Sequence, residues 1–278
     1  MIGRIALFAL FLGALAQGAH GAGVKNVAVS GNTLTAELDL LGVDGEITIE
    51  FEEVGNLTPT SVGLSATLIS PINPLVLNRL PSGGLVSIPT AFPVRLTFNP
   101  PPSGELWYRG PVEIRIHTES LNYILGTPLR LYAASPGGNF QDATESIGAG
   151  SYRVGAYSPR FAGDYAIVVD LRVIDEVVWS KLDYVEGVLA ANAGGMSPQL
   201  TTTLQVMLAD VRTAVAEDRI VDARDLTDDF LAAVTEASGT EIPDLWEADG
   251  ELVNSAGALI SAGSTLAFSL LGLEQGPL

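Results

Sequence analysis

The spacing of apolar residues changes near residue 175 from every second position to every third or fourth. A strand places alternate side chains on one face and a helix repeats every 3.6 residues, so this switch divides the chain into a sheet-forming part and a helix-forming part. In the first part Val27 and Val29 alternate with polar or small neighbours. Gly31-Asn32 then offers a two-residue hairpin turn, and Leu34, Ala36, Leu38 and Leu40 resume the alternation. After Val43-Asp44-Gly45, Ile47, Ile49 and Phe51 oppose Glu46, Thr48, Glu50 and Glu52. The pattern predicts a three-stranded meander with one wet face.

Residues 54–104 hold nine of the sixteen prolines and no acidic residue, which predicts short edge strands and ordered loops partly covered by the rest of the fold. Alternation returns in Val112, Ile114 and Ile116, in 129–133 and 152–157, and most clearly from Tyr165 to Val173. About nine or ten short strands punctuated by Gly and Pro predict a β-sandwich or open barrel.

Helical spacing follows. Val177, Val178, Leu182, Val185 and Leu189 mark one face that stops before Gly194-Gly195. Ser197-Pro198 is a helix start, with a capping hydroxyl followed by proline in the first turn. Leu200, Leu204, Met207, Leu208, Val211 and Val215 trace a second stripe, and Ala223, Leu226, Phe230, Val234 and Ala237 a third that ends at Gly239. A last helix is expected from Pro243 to about Ser261. The expected fold class is therefore multidomain β plus α: an antiparallel β-sandwich-like domain over 24–175, a small antiparallel helical bundle over 176–262, and an apolar tail over 263–278.

The N-terminus adds an address. Arg4 precedes an apolar run from Ile5 to Leu15, closed by small residues at Ala19-His20-Gly21. This is the form of a secretory signal peptide over residues 1–22, and the expected localisation is extracytoplasmic, secreted or periplasmic. The chain has no cysteine, so no lipoprotein anchor, thiolate metal ligand or disulfide is available. A formal net charge of −18 repels phosphate backbones and makes nucleic acid an unsuitable partner. The helical part carries most of it, with 17 acids against 4 bases in residues 176–278.

Residues of the helical part resemble the FIMAH module of secreted bacterial proteins: Glu217-Asp218, Ala223, Phe230-Leu231-Ala232-Ala233-Val234 and Ser238-Gly239. Glu217 stands where that module has a turn glycine, and Leu231 where it has isoleucine. In the β part, Pro128-Leu129-Arg130-Leu131-Tyr132 and Gly150-Ser151-Tyr152-Arg153-Val154 resemble the secreted bacterial family of unknown function DUF6689. Neither resemblance carries a catalytic residue with it.

Chemistry is sparse. His117 is the one histidine beyond the leader, on the strand face of Glu113 and Arg115, with Glu119 two positions on and Ser120 beside it. No Gly-x-Ser-x-Gly elbow presents a nucleophile. Trp107 and Tyr108 are candidates to line a ligand groove, although such a pair usually places one ring in the core. Asp218, Asp222, Asp225 and Asp229 are candidate calcium ligands, but they lack loop spacing and read more simply as a solvated helix face, with Asp218 as an N-cap. No cofactor is expected. Residues 252–273 carry no charge and are long enough to span a bilayer, yet no basic flank follows, so a buried final helix is favoured over a membrane anchor. The resulting expectation is a non-enzymatic binding or surface protein whose partner is a protein or glycan at the cell surface. The alternatives are a carboxylate-based, glycosidase-like secreted hydrolase and a C-terminally membrane-anchored structural protein.

Overall fold

A computed structural model describes residues 21–275 except 82, 83, 123, 125, 149, 159 and 251. The signal-peptide reading covers residues 1–22, of which 1–20 lie outside the described residues. The first strands are β1 (Val24–Ser30), β2 (Thr33–Leu38), β3 (Glu46–Gly55), β4 (Leu64–Leu68), β5 (Val86–Ser87) and β6 (Val94–Phe98). They are followed by β7 (Trp107–Asn122), β8 (Leu129–Ala134), β9 (Gln141–Asp142), β10 (Thr144–Gly148), β11 (Ser151–Tyr157), β12 (Gly163–Asp170) and β13 (Leu245–Glu247). The helices are α1 (Pro74–Leu77), α2 (Ile174–Asn192), α3 (Pro198–Ala216), α4 (Ile220–Ala237) and α5 (Ser255–Glu274).

Two antiparallel sheets face each other. The larger has the order β1-β2-β3-β7-β11-β10, with β13 also on β7; the smaller has β4-β6-β12-β8-β9, with β5 also on β12. The meander is present, and its Gly31-Asn32 turn links Ser30 to Thr33 with Gly31 at φ +58°. Inward residues such as Ile47, Ile49, Ile114, Val154 and Ile167 fill one core between the sheets. The proline-rich segment does more than border the fold. Its β6 lies between β4 and β12 rather than at an edge, because Pro93 and Pro100 sit outside the paired residues Val94–Phe98. Ile69, Val76, Leu80, Val86 and Ile88 also cover the outer side of the smaller sheet, where they form a second core with Tyr132, Phe140 and Val168. That cover makes β12 buried on both faces.

The helical part begins where expected. Ser197 caps α3 by accepting from the Leu200 N–H. Its end differs from expectation in two ways. Leu245–Glu247 is a strand paired to β7, not part of a helix. The last helix then starts at Ser255, capped by Asn254, and runs unbroken through 263 to Glu274, so there is no separate tail beginning at 263. Among the described residues α5 is the one helix long and apolar enough to cross a membrane, and 67% of that stretch is buried inside the protein. It needs apolar residues on most sides because it packs on α2 and α4 and also against β7, β10 and β11.

Polar contacts fix that docking. Asn254 donates to the Gly110 carbonyl (2.6 Å), Ser261 to the Tyr157 carbonyl (2.7 Å) and Thr265 to the Asp142 carbonyl (3.2 Å). Beside them Lys181 of α2 is buried with its Nζ 2.7 Å from Asp142 Oδ2, and it donates to Ser269 (2.8 Å) and to Thr265 (2.6 Å). Burial pulls the Lys181 ammonium below its ordinary pKa, and Asp142 opposes that pull. At the β12–α2 junction Arg172 grips Asp170 through two nitrogens (2.8 and 3.0 Å), and the Tyr132 hydroxyl donates to the same carboxylate. Burial alone would raise Asp170, but Arg172 and Tyr132 outweigh it and hold the carboxyl below its usual range.

Candidate functional site

Alternation on β3, β7 and β11 puts the apolar members into the core and leaves a polar outer face on the larger sheet. In register, that face carries Glu46 beside His117 and Arg153, Thr48 beside Arg115 and Gly155, and Glu50 beside Glu113 and Tyr157. A cleft of about 480 Å³ opens there, bounded by Glu46, Arg115, His117, Ser146, Arg153 and Gly155. Gly155 matters to its depth: a methyl group there would lie 2.5 Å from Ser146 Oγ.

His117 is held from two sides. Its Nδ1 is 3.2 Å from Glu46 Oε2 on β3, and its Nε2 is 2.6 Å from Ser151 Oγ at the start of β11. The sequence pointed to Glu119 and Ser120 instead. Glu119 is exposed and shares a smaller cleft of about 200 Å³ with His117, but both ring nitrogens are already engaged elsewhere. The Ser120 hydroxyl accepts from the Asp44 N–H. Cross-strand neighbours supplied the partners that sequence neighbours were expected to supply.

Farther along the same face, Arg115 pairs with Glu50 and with Glu113 (2.9 Å). Glu145 lies nearby with Oε2 buried and without a hydrogen-bond partner among the described residues. Burial, then the Glu113 charge, pushes the Glu145 carboxyl up to about 7, with Arg115 opposing. A carboxyl whose folded pKa is raised stabilises the fold most fully below its unfolded value, and that contribution is lost as pH rises through the folded value. Wild-type protein is therefore expected to lose stability relative to Glu145→Gln between about pH 4.5 and about pH 7. Paired thermal melts at pH 5 and pH 8 check this: the advantage of the variant must be larger at pH 8, and an equal gap at both would refute it.

A second cleft, about 450 Å³, lies where α2 passes the smaller sheet. Its floor is made of small residues, Ala133, Ala134, Ala162, Gly187 and Ala191, and Tyr184, Asn139, Gln141 and Arg160 add polar groups. Gly187 is in mid-helix, where glycine costs about 1 kcal/mol relative to alanine, and a methyl built on it meets nothing within 4 Å. Packing does not require glycine there; its effect is to leave the cleft open. Asp183 also lines the cleft, and Arg212 engages it at 2.6 Å together with Glu186 at 2.8 Å. Exposed Arg160 has no acidic partner among the described residues.

The remaining predicted site residues are placed elsewhere. Tyr108 is a core residue, stacked on Trp246 with ring centroids 5.1 Å apart, and the Trp107 indole lies against the bare Cα of Gly55. Hence the two do not form a paired platform in a groove. Asp222 bonds Arg219 at 2.6 Å, Asp225 lies 3.8 Å from Arg224, and Asp218 precedes the α4 N-cap Arg219 with φ +58°, so it is not itself the cap. Among the described residues no three of His, Asp and Glu gather to hold a metal ion. Asp222, Asp225 and Asp229 lie exposed along α4, and Asp218 stands outside that helix.

No curated protein and no solved structure matches the chain. One family match takes in both parts, sandwich and helices, and the FIMAH-like residues 217–239 fall inside it. The model of DUF6689, a family of unknown function, matches residues 7–274, and the chain belongs to that family.

Proposed function

We propose that this is an extracytoplasmic binding protein that takes a glycan end bearing an acidic group in the cleft between the smaller sheet and α2. The observation that carries the reading is the composition of that cleft: a floor of small residues beneath one unneutralised guanidinium, Arg160, on a protein of net charge −18. A cation without a counter-charge in the cleft, on a protein that is acidic as a whole, selects for a carboxylate. The amides of Asn139 and Gln141 suit sugar hydroxyls, and the Tyr184 ring offers an apolar wall. The leader-like residues 1–22 support an extracytoplasmic setting.

Titration calorimetry with neutral and uronic-acid oligosaccharides tests the proposal. Wild-type protein is expected to bind the acidic series, Arg160→Ala to weaken that binding at least about tenfold, and Gly187→Leu to abolish it while keeping or raising the melting temperature. Absence of binding to every acidic glycan, or binding that Gly187→Leu leaves intact, would reject it.

A further inference from the structure

The outer face of the larger sheet holds a hydrogen-bonded chain, Ser151 to His117 to Glu46, that the binding reading does not use. We infer that Ser151 is a nucleophile, that His117 is its base, and that this face hydrolyses small carboxylic esters by acyl transfer. The site is apart from the cleft under α2, so either reading can fail without the other.

Three observations support the assignment. The Ser151 Oγ to His117 Nε2 distance of 2.6 Å is proton-transfer distance, and the other ring nitrogen is 3.2 Å from Glu46 Oε2. With Nδ1–H donated to Glu46, Nε2 is the free lone pair that accepts the serine proton. Second, Ser151 follows Gly150 at φ +100°, a conformation that side chains other than glycine rarely adopt, so the hydroxyl leaves a tight turn at the strand start. Third, a cation stands beside it. Arg153 is paired in register with His117, is exposed without an acidic partner among the described residues, and its Nη1 lies 3.7 Å from where a methyl on Gly150 would sit. That guanidinium is placed to receive negative charge developing next to Ser151. The cleft of about 480 Å³ includes both His117 and Arg153, giving room for the acyl or alcohol part of a substrate.

The step balances without an added cofactor. Ser151 Oγ forms a bond to the ester carbonyl carbon, the C=O π pair moves to oxygen near Arg153, and the hydroxyl proton passes to His117 Nε2. Collapse re-forms the carbonyl and breaks the bond to the alcohol oxygen, which takes the proton from His117. Water then repeats the sequence on the acyl-serine, releasing the carboxylic acid and restoring the hydroxyl. Glu46 touches only His117 and is a positioning residue. Its side chain is 69% exposed, so its hold on the ring is weakened by solvent.

The test uses the full chain with p-nitrophenyl acetate and a fluorophosphonate probe, followed by mapping of the labelled peptide. Wild-type protein is expected to show a burst of p-nitrophenol and a single adduct on Ser151. Ser151→Ala should lose both, and His117→Ala should acylate at least about a hundredfold more slowly. Glu46→Gln should lower the acylation rate about tenfold or less while leaving the half-saturating ester concentration unchanged, a split that a merely structural contact would not produce. Unchanged melting temperatures establish that the variants fold, and should Ser151→Ala not fold, the mapped wild-type adduct decides alone. A wild-type chain with no burst and no adduct on Ser151, or an adduct that persists in Ser151→Ala, overturns the inference.

Discussion

Replacing Lys181 by Met is expected to cost about 3–5 kcal/mol of folding stability, the range for breaking a buried ion pair by removing one partner. An exposed pair would be worth no more than about 1 kcal/mol, and burial decides between the two: the side chains of Lys181 and Asp142 are only 5% and 3% exposed. Methionine fills much the same volume, so the loss comes from leaving the Asp142 carboxylate without its counter-charge under α5. The charge also holds three elements together, since Lys181 belongs to α2, Asp142 to β9, and Thr265 and Ser269 to α5. Adding Asp142→Asn should recover a good part of the loss. The amide oxygen can still accept from the Thr144 N–H, a bond of 2.9 Å in the native protein, and no buried charge remains. Chemical denaturation of the two single variants and the double variant measures the coupling directly. A Lys181→Met protein within about 1 kcal/mol of wild type would show that the pair does not secure the helices to the sandwich.

The second large effect is expected at Phe161. This ring is fully buried and meets Phe51 at 5.3 Å, Phe98 at 5.2 Å, Tyr108 at 5.9 Å and Trp246 at 6.0 Å between centroids. Phe51 comes from the larger sheet, Phe98 from the smaller and Trp246 from the strand supplied by the helical part, so one side chain joins all three. Phe161→Ala should cost about 3–5 kcal/mol through lost burial and an unfilled cavity. Phe161 also has φ +51°, which strains any residue with a Cβ. Glycine escapes that strain, so Phe161→Gly should be no less stable than Phe161→Ala, the reverse of the order found where φ is negative. Denaturation midpoints of the two variants settle the order, and an alanine variant clearly more stable than the glycine variant would contradict the strain argument.

Lys181 shows how sequence patterning loses information. It falls four residues after Val177 and four before Val185, on the stripe of α2 that turns inward, yet a lysine in such a stripe reads as an exposed interruption. Its partner is 39 positions away by sequence number and lies in a two-residue strand too short for alternation to register. The misjudged C-terminal boundary has a related origin. Leu245–Glu247 forms a strand only because the edge of β7 at Trp107–Arg109, which β11 does not reach, is available to pair with it. The uncharged run of 252–273 looked like a helix plus a tail because a helix buried on most sides shows no polar stripe by which to judge its length.

What the sequence determined by itself is whatever local periodicity and turn chemistry encode: the meander, the Gly31-Asn32 hairpin, the Ser197 cap, the β-then-α order and the cysteine-free acidic composition. Tertiary structure decided the rest. Glu46, His117 and Ser151 meet because β3, β7 and β11 are adjacent, and the cleft at Gly187 exists because α2 passes the edge of the smaller sheet. Side chains brought together across strands share no sequence interval, and the physical reason is that pairing register and helix docking are set by burial summed over the whole chain, whereas alternation records only which face of each segment turns inward.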